Sequence, residues 1–118
     1  MNQVPQIHYL EIVTLNVEQV CSAHAETFGI QFSDEIAELG GARTADLSTG
    51  GTLGVRAPMH EAEEPVTRPY YLVSDIEKAL EDGKKGGAEV ALPPMEIPGR
   101  GQCAILMFGA TQSGLWQL

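Results

Sequence analysis

The feature that most constrains this chain is a strand–helix unit that occurs twice. Residues 9–29 open with Tyr9, Leu10, Glu11, Ile12 and Val13, a short run rich in aromatic and β-branched residues. They pass through Asn16 into a stretch with apolar residues at helical spacing, which closes at Gly29. Residues 68–87 repeat that order with Tyr70, Tyr71, Leu72 and Val73, then Asp75, then Ile76, Ala79 and Leu80, closing at Gly87. Asn16 and Asp75 suit a helix start, because their side chains accept from the free amides of a first turn. They stand 59 positions apart, half of the 118 residues. That spacing points to an internal duplication.

The remaining elements follow the same plan. In the first strand, Ile7–Val13, Tyr9, Glu11 and Val13 share one face while His8, Leu10 and Ile12 share the other. If the Leu10/Ile12 face packs on helices, Glu11 looks the opposite way, into solvent or a cleft. The helix Val17–Phe28 puts Val17, Val20, Cys21, His24 and Phe28 on one apolar stripe, where His24 reads as a packing residue rather than a catalyst. Three short strands are expected at 30–35, 42–48 and Thr52–Arg56, with Gly40-Gly41 and Gly50-Gly51 as turns between them. No helix opens after Gly54, so these glycines do not read as a phosphate loop. Residues 57–66 form an acidic, proline-bearing linker in which His60 and Glu61 read as polar side chains facing water rather than ligands. The second half has a strand at 68–73, a helix at 75–85 weakened by Gly83, and a strand at 89–92. A loop at 93–101 and strands at 102–108 and 114–118 complete it.

Size and charge exclude several functions. With 118 residues the chain is expected to form one domain that buries about two-thirds of its unfolded surface. A net charge of −9 repels a phosphate backbone, so nucleic acid is a poor partner. No apolar run approaches the ~20 residues of a membrane span and no leader pattern opens the chain, so the cytoplasm is the expected location. Cys21 and Cys103 lack metal-knuckle spacing and read as two buried thiols.

A β-α-β-β-β unit present twice resembles the vicinal-oxygen-chelate superfamily, which includes glyoxalase I, extradiol dioxygenases and the bleomycin-resistance proteins. The residues that carry the resemblance are Glu11-Ile12, Asn16-Val17-Glu18 and Phe28-Gly29 in the first half. In the second half they are Asp75 to Leu80, Gly86-Gly87, Pro93 to Gly99 before Ala104-Ile105-Leu106, and the closing Gly114-Leu115-Trp116-Gln117. The resemblance implies an α+β fold of two tandem βαβββ modules, at about 7–56 and 67–118 with a linker at 57–66. They form curled half-barrel sheets around a shared cavity, with the helices outside. It also implies a homodimer.

Metal-using members take ligands from the first and last strand of each unit. Aligned on the helix caps, those positions fall at Tyr9, within residues 53–55, at Arg68 and at Gly114. None is a usual donor for a divalent ion, and Arg68 would repel one. No metal or other cofactor is therefore expected. Glu11, the candidate base, and Arg68 begin equivalent strands, either as a partly buried ion pair or as ligand contacts. Tyr9, Tyr70 and Trp116 are expected to line the same cavity, and these five residues are the candidate ligand-binding set. Arg56 and Arg100 fall on rim segments and read as solubilising surface. Met95, Ile97 and the turn 99–101 read as an edge over the mouth. The leading expectation is a glyoxalase/bleomycin-resistance-like protein that binds a small organic molecule without metal. The alternatives are a metal-dependent lyase or isomerase of the glyoxalase I type and a structural dimer module without a ligand.

Overall fold

The computed structural model describes residues 5–118. The fold class is α+β, with seven strands and two α-helices among the described residues. The chain forms two compact units. One runs over Tyr9–Thr67, and the other takes Arg68–Leu118 together with the residues up to His8.

In the Tyr9–Thr67 unit, strand β1 (Ile7–Val13) leads into helix α1 (Val17–Phe28), a 3-10 turn (Ala37–Leu39), and strands β2 (Arg43–Asp46) and β3 (Thr52–Arg56). Strand β3 pairs parallel to β1, with Leu10 opposite Leu53 and Ile12 opposite Val55, and antiparallel to β2. Parallel neighbours need a long crossover, which α1 and β2 supply. Leu10, Ile12, Leu53 and Val55 pack with Val17, Val20 and Cys21 of α1, so this face of the sheet is the helix face. Alternation then sends Tyr9, Glu11, Gly54 and Arg56 to the other side.

Residues 30–35 do not form the expected strand. Ile30 and Phe32 do pack against the core, which is the alternation that mimics a strand. Among the described residues the segment has no ladder partner, however: its backbone is tied by Ser33 N–H to the Thr44 carbonyl at 2.8 Å and, just beyond it, by one bridge between Ile36 and Ala42. The helix start also differs from expectation, since the Asn16 side chain makes no cap hydrogen bond and its N–H donates to Thr14 Oγ1 instead. Phe28 leaves the stripe as well; it is 65% exposed and meets the His24 ring at 5.7 Å. His24 itself is half-buried and bonds the Val20 carbonyl through Nδ1, a packing role.

The second unit contains strand β4 (Val66–Leu72), helix α2 (Ile76–Lys85), and strands β5 (Glu89–Ile97), β6 (Gly101–Phe108) and β7 (Thr111–Gln117). Strand β7 pairs parallel to β4 and antiparallel to β6, which pairs with β5 at the edge. Asp75 caps α2 as expected, accepting from Lys78 N–H at 3.0 Å, and Gln117 Oε1 takes the Ile76 N–H at 2.8 Å. The helix runs through Gly83, where a Cβ would meet the Leu106 side chain; the glycine marks close helix–strand packing rather than a helix end. Gly86, not Gly87, is its C-cap.

The expected loop at 93–101 is largely strand. Strand β5 continues to Ile97 across Pro93 and Pro94, with register shifts between Val90 and Leu92 and between Leu92 and Met95. Proline cannot donate to a ladder, so it is tolerated on an edge strand where the pairing skips. Ile76, Leu80, Ala88, Ala104, Leu106 and Leu115 form the core of this unit. The two cysteines are free and buried, and burial pushes the Cys21 thiol above its ordinary value. No described helix is long and apolar enough to cross a membrane.

These placements make opposite demands on two large apolar side chains. Leu80→Ala should cost about 2–4 kcal/mol in denaturant unfolding, whereas Phe28→Ala should stay within about 0.5 kcal/mol of the parent. A large loss on truncating Phe28 would return it to the core.

Candidate functional site

The candidate residues lie on the face of their strands turned away from the helix in each unit, and all five are buried. In the Tyr9–Thr67 unit, Glu11 is 6% exposed and sits opposite Gly54 across the parallel pair. Its carboxylate is held by Arg56, whose Nε donates to Glu11 Oε2 at 2.8 Å. Arg56 is therefore not a solubilising surface group, being only 4% exposed. Its Nη1 also donates to the Ala57 carbonyl, and Nη1 and Nη2 reach the two carboxylate oxygens of Glu63 at 2.8 and 2.6 Å. The hydrogen bond to Glu63 holds the guanidinium protonated well above its usual range; burial opposes this and the charge of Glu11 adds to it. Part of the linker thus belongs to the buried polar cluster.

Tyr9 lies across Gly54 of the neighbouring strand, where a Cβ would collide with the phenol. Leu53 and Val55 belong to the helix face, so Gly54 is the member of 53–55 that is turned away from the helix.

In the second unit, Arg68 is 7% exposed. Its Nε donates to Gln112 Oε1 at 2.6 Å, and its Nη1 donates to the Tyr70 hydroxyl at 3.4 Å. Gln112, Gly114 and Trp116 share one face of β7, opposite the face on which Leu115 packs against α2. Tyr70 sits opposite Gly114 and covers it, so that a Cβ there would strike the ring and approach the Pro69 carbonyl. Trp116 meets Tyr70 edge-on at 5.7 Å and His8 at 5.4 Å, with burial pulling the His8 imidazole below its ordinary value. The indole N–H donates to the Arg100 carbonyl at 2.8 Å. This bond ties down the turn after β5, which the sequence suggests as an edge over the mouth, while the Arg100 side chain stays exposed.

Arg68, Tyr70 and Trp116 therefore come together in one unit, and Tyr9 and Glu11 share a face in the other. Sequence reasoning missed Arg56, Glu63 and Gln112. The parity of β7 carried a signal for Gln112, and that of β3 placed Arg56 with Gly54, away from Leu53 and Val55. No periodic signal marks Glu63, which lies in an irregular loop.

The positions at which the resemblance would put metal donors hold Tyr9 and Gly54 in one unit and Arg68 and Gly114 in the other. Two glycines have no side-chain donor and a guanidinium repels a cation, so these residues do not fit a bound divalent ion. Among the described residues no three His, Cys, Asp or Glu side chains group as a metal site.

No protein-family model matches the sequence, and no curated protein matches it. Solved structures do match. A hypothetical protein from Bacillus halodurans superposes with a TM-score of 0.77 at 12% identity, over 98% of this chain and 96% of its own. Methylmalonyl-CoA epimerase from Streptomyces coelicolor, a point variant in complex with 2-nitronate-propionyl-CoA, gives 0.69 at 18% identity over 98% of both chains. The Mycobacterium tuberculosis methylmalonyl-CoA epimerase gives 0.71 at 14% identity, over 99% of this chain and 92% of its own. The chain thus has the vicinal-oxygen-chelate fold of these epimerases.

The two tyrosine–glycine contacts are sensitive to a single methyl group. Gly54→Ala and Gly114→Ala should each destabilise the protein by about 1–3 kcal/mol and alter its near-UV tyrosine dichroism. Neutral substitutions would show that the rings do not lie on the glycines.

Proposed function

We propose that this chain is a glyoxalase/bleomycin-resistance-like member of the vicinal-oxygen-chelate superfamily that binds a small organic molecule without a metal ion. The observation that carries the reading is the buried Arg68, held by Gln112 beside Tyr70 and Trp116. A guanidinium kept on a face with two aromatic rings suits a flat ligand bearing a carbonyl or anionic group. Tyr9 and Glu11 are proposed contacts on their own unit, with Glu11 as hydrogen-bond acceptor or base. The fold is one in which epimerases bind acyl-CoA compounds, as the nitronate complex illustrates. A metal-dependent lyase or isomerase would need donors that Tyr9, Gly54, Arg68 and Gly114 do not supply.

A thermal-shift screen of aromatic and carbonyl metabolites in the presence of EDTA tests the proposal. A compound at about 100 times its Kd should add about 2.7 kcal/mol of stability to the native protein. Arg68→Ala should abolish that gain and Arg68→Lys, which keeps the charge but loses the fork, should weaken it. A shift that survives Arg68→Ala intact, or appears only with an added divalent ion, would overturn the assignment.

A further inference from the structure

The loop after β3 is irregular and mostly exposed, with Met59 62% exposed, yet it folds around one carboxylate. Glu63 accepts from Nη1 and Nη2 of Arg56 and from the Met59 backbone N–H at 2.7 Å, while its own N–H donates to the His60 carbonyl. The guanidinium it meets is fixed by other means. Strand β3 carries Arg56, Glu11 on β1 takes its Nε, and the Ala57 carbonyl takes an Nη1 proton. Gly40 leaves room for its stem: a Cβ there would lie 3.1 Å from Arg56 Cδ and 3.2 Å from Met59 Sδ. A rigid strand thus presents a pre-oriented guanidinium edge, and a loop supplies the carboxylate that fills it. Two parallel N–H donors on two carboxylate oxygens is the geometry by which arginine selects carboxylates over spherical anions.

We propose that Arg56 is a carboxylate-binding site occupied in cis by Glu63, and that a small free carboxylate takes the same place when Glu63 is withdrawn. The site goes beyond the ligand reading above, because it stands on Arg56 in one unit and not on Arg68 in the other. The second bond of Glu63, to Met59 N–H, favours the tethered carboxylate over a free one. Displacement in the intact chain would therefore require a ligand that adds contacts of its own, with release of the loop at 57–65 as the consequence.

Glu63→Ala with acetate as the probe tests this at neutral pH. If acetate binds with a Kd of about 20 mM, roughly 200 mM should raise the variant's Tm by about 4–6 °C over sodium chloride of equal ionic strength. The parent protein, with Glu63 in place, should melt at the same temperature in both salts to within about 1 °C. Formate should act as acetate does. Coincident melting curves for the variant in acetate and chloride would overturn the proposal. Should Glu63→Ala fail to unfold cooperatively in either salt, Glu63→Ser clears the same place, and the absence of an acetate-specific shift in it would be equally fatal.

Discussion

A guanidinium taken out of water must be met by groups that replace its hydration, and Arg56 places that demand on this chain. Its donors reach a neighbouring strand through Glu11, its own backbone through the Ala57 carbonyl, and an irregular loop through Glu63. Such an assembly contributes little net stability over an apolar alternative, yet removing one partner strands a buried charge at a cost of about 3–5 kcal/mol. The cluster ties β1, β3 and the loop at 57–65 to one side chain. Arg68 makes the same demand in the other unit, where Gln112 and the Tyr70 hydroxyl are among the groups that meet it.

The two units share a plan that explains what these charges can do. In each, a helix covers one face of the sheet with aliphatic residues, and the opposite face carries an arginine and a glycine beneath a tyrosine ring. The details have diverged. Tyr9 covers Gly54 from two register positions away, whereas Tyr70 covers Gly114 from directly across the pair. The resemblance to epimerase structures bears on the fold rather than on the reaction.

Much of this was legible in the residues because it rests on local pattern. The bounds of β1, α1 and β3, the Asp75 cap and the facing of Glu11 away from Leu10 and Ile12 all follow from spacing and cap chemistry. What was illegible depended on partners distant in sequence or on the lack of one. Ile30 and Phe32 alternate like a strand, but among the described residues no neighbouring strand forms a ladder with them. Pro93 and Pro94 read as loop because proline disrupts central strands, a rule that relaxes on the edge occupied by β5. Arg56 read as surface because arginine usually is, and its partners lie 45 and 7 positions away. Only the strand register, together with the fold of the acidic loop, brings them to it.

Arginine and aromatic side chains are proposed to recognise the ligand in place of a coordinated ion. Equilibrium dialysis of tag-free protein against zinc, nickel, cobalt and manganese at micromolar concentrations tests it most directly. Bound metal is expected to stay far below one ion per chain for all four. Stoichiometric binding of any one of them, lost on mutating Tyr9 or Glu11, would contradict the account.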